Sequence, residues 1–431
     1  MVERSAFLKD LLLVTKDGEW GKGEPEDGLV EMLAIRGTDF SRVRYCQIDG
    51  VPTRFIPSAI SERKKLQPRD ILIETAGGTR DQPTGRTVIL KPHLFVTNPI
   101  PITCASFSRF MRINTQLVNP EFVFWYLQFL YATGQMEEHQ VQHTGVSRFQ
   151  FTRFSETVRI PLPPRDEQQT IARTLGALDN KIQLNQQMNK TLEAIAKSIF
   201  KHWFIDFEFP NEEGKPYKSS GGEIVYNEEL RKDVPKGWKV GRIGDMALHV
   251  KDQTAPYENP EKMYRLFSIE AFDSGMKPLF ARGSTILSHK FVVRSKTVLV
   301  SKLNPRIQRV WPVVDTGENS VCSTEFLSFK PKDNAFSYFY NLILTRGVEK
   351  ALTQMARGTS SSHQRISADD IRNIPIPMPG QATLELFERI IVPTVTRRER
   401  NTTNELTIAQ MRDLLLRRLM SGKLRMAKEA R

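Results

Sequence analysis

The chain has 431 residues, 39% hydrophobic and 26% charged, so it is a folded protein too long for one ordinary core. Lysine and arginine number 62 against 49 acids, and the resulting +13 favours a polyanionic partner, most simply nucleic acid. No apolar run approaches the ~20 residues of a bilayer span, so no membrane partner is expected.

The N-terminus, MVERSAFLKDLLLVTKDGEW, carries acids and no small-residue cleavage site, so it does not read as a signal peptide. Cys46, Cys104 and Cys322 lie far apart without a CxxC, which points to a reducing cytoplasm and no zinc site. RDILIET (69–75) reads as a buried strand, and the aromatic stripe EFVFWYLQFLY (121–131) as a core helix. VRIPLPPRDEQQTIARTL (158–175) then stops a strand on prolines and starts a helix. Pro164 suits a first turn, and Asp166 and Glu167 suit the positive end of the helix dipole.

The helix carries seam positions at alternating spacings of four and three, the coiled-coil pattern, apolar except for a polar middle at Asn185 and Asn189: Ile171, Leu175, Leu178, Ile182, Asn185, Asn189, Leu192, Ala196, Ile199 and Trp203. Near the C-terminus IRNIPIPMPGQATLELFERI (371–390) repeats the brake, offset by 216 residues from the first. The same offset carries Asn185 to Asn401, Leu192 to Ile408, Ile199 to Leu415 and Trp203 to Leu419, so the chain reads as a tandem duplication. KTVLVSK (296–302) is the second copy of the 69–75 strand. The second helix has Phe387 and Ile391 early, Ile408, Leu415 and Leu419 late, and a polar middle at Thr394, Arg398, Asn401 and Glu405. Antiparallel pairing sets apolar ends against apolar ends and polar middles against each other; Pro393 predicts a kink or a break.

The expected class is α+β: two tandem mixed α/β domains, each followed by a long helix, the helices pairing as an antiparallel coiled coil. The boundaries are 1–164 and 235–379 for the domains, 165–208 and 380–421 for the helices, 209–234 for a linker, and 422–431 for a basic tail.

Three stretches resemble the specificity subunit of type I restriction–modification systems. They are LGALDNKIQLNQQMNKTLEAIAKSIFKHWFIDFEFP (175–210), VPKGWKVGRIGD (234–245) and MRDLLLRRLMSGKL (411–424). The resemblance implies that each target-recognition domain reads one half of a split, asymmetric site on double-stranded DNA, and that the helices set the gap. It implies two methyltransferase subunits docked on the helices, holding the S-adenosylmethionine, and restriction/motor subunits that use ATP and Mg. The chain itself is then expected to bind no cofactor and no metal. The first domain begins FLKDLLLVTKDGEWG (7–21), without the Pro-x-Gly-Trp lead of the second, which leaves its start open.

The alternative is a self-contained DNA-modifying enzyme. Its residues are not found: Asn119-Pro120-Glu121-Phe122 lacks the second proline of a base-flipping turn, and Gly77-Gly78-Thr79-Arg80 lacks the lysine of a phosphate loop. The histidines show no metal-ligand spacing.

Base reading needs polar side chains on loops that can enter the major groove. In the first domain ETAGGTRDQPTGR (74–86) offers Gly78, Thr79, Arg80, Gln82, Thr84 and Arg86, and HTGVSR (143–148) offers Thr144, Ser147 and Arg148. In the second, SKLNPRIQRVW (301–311) offers Lys302, Asn304, Arg306, Gln308 and Arg309. RGTSSSHQR (357–365) offers Thr359, Ser360, Ser361, Ser362, His363, Gln364 and Arg365.

Overall fold

The computed structural model describes residues 4–79, 82–143, 146–332, 334–357 and 364–424. It divides into two units: Met1–Leu184 with Thr407–Arg431, and Asn185–Leu406. Each unit therefore holds one mixed domain and a stretch of each long helix.

In the first unit a four-stranded antiparallel sheet runs in the order Leu12–Asp17, Ser108–Ile113, Ile71–Glu74, Thr87–Ile89. Its Ile71–Glu74 strand is buried throughout, as a near-continuous apolar run requires. A second sheet joins Thr53–Pro57, Leu29–Ile35 and Ile102–Cys104, the last pair parallel. The helix Pro120–Ala132 starts on an Asn119 cap, whose side chain accepts from the Phe122 N–H at 3.1 Å. It buries Phe122, Phe124, Trp125 and Leu127.

The second unit repeats the plan. Its four-stranded sheet runs Ala247–Val250, Phe326–Pro331, Thr297–Ser301, Val310–Val313, again antiparallel. In its other sheet Met263–Phe267 pairs antiparallel with Leu279–Arg282 and parallel with Ser320–Cys322. The same order and the same strand directions in both units make the duplication a topological fact.

The proline brakes are edge strands, where a missing N–H costs no ladder bond. Arg159–Pro161 pairs antiparallel with Ser5–Phe7, and Pro375–Met378 with Lys239–Arg242. The first domain thus opens on an equivalent strand although its Pro-x-Gly-Trp lead is absent. At the first joint Gln168 is buried; its amide donates to the Pro163 carbonyl at 2.8 Å and its Oε1 accepts from the Asn119 N–H at 2.9 Å. One side chain therefore ties brake, helix and domain together.

The long helices span Arg165–Phe200, extended by a wider turn over Lys201–Ile205 that carries Trp203, and Gln381–Met420. In the first unit Ile171 and Leu175 share a core with Leu416 and Leu419, and Arg412 meets Asp179 at 2.6 Å. In the second, Asn401 donates to Asn189 at 2.8 Å, Arg398 meets Glu193 at 2.8 Å, and Trp203 packs on Phe387. Rising numbers on one helix meet falling numbers on the other, so the pairing is antiparallel. Ile182, Asn185 and Ile391 are buried.

Two expectations for the helices change. Leu178, Leu192, Ile199, Ile408 and Leu415 are half-buried, and their neighbours Asp179, Phe200 and Leu416 take the buried places. The buried face also packs on the helix's own domain, so it is wider than a strict two-position seam. The second helix is not broken at Pro393, which lies inside it. Ile391 and Val395 are buried on either side of it, and packing there outweighs one lost backbone hydrogen bond.

Among the described residues no helix is long and apolar enough to cross a membrane.

Candidate nucleic-acid interface

The two candidate loops of each unit, separated in sequence, meet at one sheet edge. In the first unit Gln140–His143 and Val146–Phe149 form a hairpin that continues into Ala76–Gly77, with Arg148 opposite Ala76 and Ser147 opposite Gly77. In the second, Leu303 is bridged to Arg365, and Arg365 to Arg357. The Ile366 N–H donates to the Lys302 carbonyl at 3.0 Å, and the Asn304 N–H to the Gln364 carbonyl at 2.8 Å. Gly77 and Asn304 hold equivalent places, and both have positive φ, 130° and 50°. Glycine and asparagine tolerate that region better than other residues.

Thr79, Gln82 and Arg148 are exposed at the first edge, with Gly78 and Ser147 half-buried beside them. Ser147 is oriented by the Gln140 side chain at 2.8 Å. At the second edge Arg306 and Arg365 are exposed and Lys302, Asn304, Gln308 and Gln364 half-buried.

Three expected readers are held elsewhere. Thr84 is fully buried. Arg86 makes two bonds to the buried Glu74, at 2.9 and 2.5 Å. Arg309 makes two bonds to Asp273, at 2.7 and 2.9 Å, and its side chain is 11% exposed. A polar loop looks uniformly accessible in sequence; here Glu74, at the head of the same stretch, claims Arg86, and Asp273, on another element, claims Arg309. Arg80, Thr144, Thr359, Ser360, Ser361, Ser362 and His363 lie outside the described residues.

Beside the second edge His249, Lys251, Lys302, Asp369 and Arg372 line a cleft of about 860 Å³. Burial and the charges of Lys251, Lys302 and Arg372 hold the His249 imidazole below its usual range. Lys251, Lys302 and Arg372 themselves put the positive charge in this cleft that phosphate contact requires.

A second pair of sites sits where each helix leaves its domain. The first cleft, about 480 Å³, is lined in part by Arg69, Asn119, Gln169, Ala172, Arg173, Gly176 and Ala177 over Phe124 and Trp125. The second is lined by Lys296, Asn334, Glu385, Glu388, Arg389, Val392 and Pro393. Five helix residues of the first cleft, Gln169, Ala172, Arg173, Gly176 and Ala177, match those of the second by the 216-residue offset, while Asp179 and Asn180 line the first alone. Arg69 and Lys296 both precede the equivalent buried strand and both have positive φ, 71° and 53°. The copies differ in filling: Lys296 bonds Glu388 at 3.1 Å, where the first has Ala172.

The helices supply buried charge that sequence reasoning missed in part. Arg44 and Arg412 both bond Asp179 at 2.6 Å. Burial pulls the Asp179 carboxyl upward, but the two guanidiniums outweigh it and hold it below the usual range. Such a carboxylate adds stability above the ordinary range and loses it as pH falls through its lowered value.

The family model described as "Type I restriction modification DNA specificity domain" matches residues 68–194 and 235–406. The MjaIX specificity subunit of a type I restriction enzyme from Methanocaldococcus jannaschii is 28% identical over 319 residues, 70% of this chain and 69% of that protein. The HindI specificity subunit from Haemophilus influenzae is 23% identical over 397 residues, 77% of this chain and 83% of that protein. Among solved structures, a type I restriction-modification S subunit from M. genitalium aligns over 96% of this chain and 95% of its own, with a TM-score of 0.55 and 12% identity.

Proposed function

Since the chain belongs to the family of type I restriction–modification DNA specificity subunits, we propose that it reads a split DNA site, one half per domain. One observation carries this. Equivalent sheet edges present different side chains, Thr79, Gln82 and Arg148 in one copy and Lys302, Arg306 and Arg365 in the other. Arginine, lysine and glutamine at such an edge can donate to base edges, and the surrounding cations to phosphates. Unlike edges read unlike half-sites, so the full target is not a palindrome.

The chain's own work is recognition and assembly. The paired helices act as the ruler between the halves, their polar contacts at Asn189–Asn401 and Glu193–Arg398 fixing register. The equivalent clefts at the two domain–helix joints suit two copies of one partner, the methyltransferase subunit. That partner carries the S-adenosylmethionine and the adenine chemistry. Restriction/motor subunits with ATP and Mg complete the complex, which works in the cytoplasm.

Exchanging residues 235–379 for those of a relative is expected to change one half of the methylated site and leave the other intact. Change in both halves, or in neither, contradicts the division of reading between domains. Methylation by the purified chain with S-adenosylmethionine alone would instead favour a self-contained enzyme.

A further inference from the structure

The two copies fill one place of the duplicated plan differently. In the first unit the Thr75 N–H donates to the Phe107 carbonyl and the Phe149 N–H to the Thr75 carbonyl, both at 2.9 Å. In the second the Lys302 N–H donates to the Glu325 carbonyl at 2.9 Å and the Ile366 N–H to the Lys302 carbonyl at 3.0 Å. Thr75 is therefore equivalent to Lys302, and Phe149 to Ile366. Two residues on, Phe151 and Ala368 each begin a short helix, Phe151–Thr157 and Ala368–Arg372. In the four-stranded sheets Ile73 lies opposite Arg109 and Val300 opposite Leu327, which equates Arg109 with Leu327. Asp17 lies opposite Arg109, and Val250 opposite Ser328, so the next residue, Lys251, takes the place of Asp17.

In the first unit these three residues satisfy one another. Asp17 accepts from Arg109 at 2.9 and 2.7 Å, the Arg109 guanidinium lies 4.8 Å over the Phe151 ring, and Phe151 is buried. In the second unit their counterparts Lys251, Leu327 and Ala368 all line the cleft of about 860 Å³. A methyl in place of a ring and a leucine in place of an arginine open the space. A lysine in place of an acid reverses its charge. Lys302 and Arg372 join Lys251 there, against Asp369. Arg372 takes Asp369 at 3.1 Å, while the Lys251 and Lys302 ammoniums bond no described residue. The cleft thus sets two unanswered cations beside an apolar wall where the other copy has a ring.

We propose that this cleft binds a nucleotide, its base against Ala368 and Leu327 and its phosphate on Lys251 and Lys302. A ligand that takes the place of Phe151 is flat with apolar faces, and one that answers two lysines is anionic. Among the parts of the polyanion favoured by a net charge of +13, the nucleotide unites both. The volume falls within the range of small-molecule sites, about 300–1,000 Å³. Phosphate alone leaves the wall bare, and a base alone leaves the lysines unanswered. Two sources share this chemistry: a free mononucleotide, and a nucleotide turned out of the DNA beside the second reading edge. The second source rests on the DNA-reading function; the first does not.

The test uses the full chain in complex with its methyltransferase subunits. In the first arm thymidine monophosphate, which does not resemble S-adenosylmethionine, is titrated by calorimetry beside thymidine and inorganic phosphate. The nucleotide is expected to bind once per chain, and each part alone to bind about tenfold or more weakly. Ala368→Phe, which restores the ring of the other copy, is expected to weaken the nucleotide by about tenfold or more. Lys251→Ala, at an exposed site, carries the comparison where Ala368→Phe does not assemble, and is expected to weaken the nucleotide but not thymidine. In the second arm 2-aminopurine is placed at each position in and beside the second half-site of the mapped motif. A fluorescence rise at one position, lost in Ala368→Phe or Lys251→Ala, identifies DNA as the source; binding in the first arm alone identifies the free nucleotide. Signal in neither arm overturns the inference, as do signals unchanged in the variants, or inorganic phosphate binding as tightly as the nucleotide. If the inference falls while the methylated motif stays split, the reading function stands; a continuous or palindromic motif brings down the reading function instead.

Discussion

Seven residues inserted after Asn185, matched by seven after Glu405, are expected to lengthen the gap between half-sites by about three base pairs. Seven residues are two turns, so the seam stays in phase, and at ~1.5 Å each they add about 10 Å. Phosphates follow one another every ~3.4 Å along a strand, which converts that length to about three pairs. The insertion points face one another in the antiparallel numbering. The pairs Asp179–Arg412 on one side and Asn189–Asn401 and Glu193–Arg398 on the other therefore keep their partners. Inserting into one helix alone shifts every one of those pairs on one side and is expected to abolish specific methylation. A gap unchanged by the double insertion contradicts the ruler.

Replacing Arg412 with alanine is expected to destabilise the chain by about 3–5 kcal/mol, read as a fall in its urea midpoint. Asp179 is 2% exposed and Arg412 9%. Removing one guanidinium leaves a buried carboxylate with Arg44 as its remaining ionic partner. The loss is largest above the ordinary carboxylate range and shrinks as pH falls through the Asp179 value, because protonation removes the buried charge that Arg44 alone then balances. Adding Asp179→Asn to Arg412→Ala is expected to cost less than the two changes summed. A single-variant cost under about 1 kcal/mol contradicts the buried network.

Much of this architecture was legible because it is periodic or repeated. The 216-residue offset, taken from two proline brakes, aligns five helix residues that line both domain–helix clefts. The strands 69–75 and 296–302 hold the same place in their sheets, flanked by the same neighbours. Loops were harder. Arg309 looked free because the acid that holds it, Asp273, sits on another element, and Arg86 because Glu74, at the head of its own stretch, folds back on it across the intervening loop. Asp179 and Arg412 escaped notice for the same reason: a charge on a long helix reads as solvated until a partner 233 residues away is brought beside it.

The most direct measurement is a map of methylated adenines in a host expressing this chain with its methyltransferase subunit. The account predicts two unlike half-sites separated by an unread gap of constant length. A continuous site, a palindrome, or a gap of variable length would contradict it.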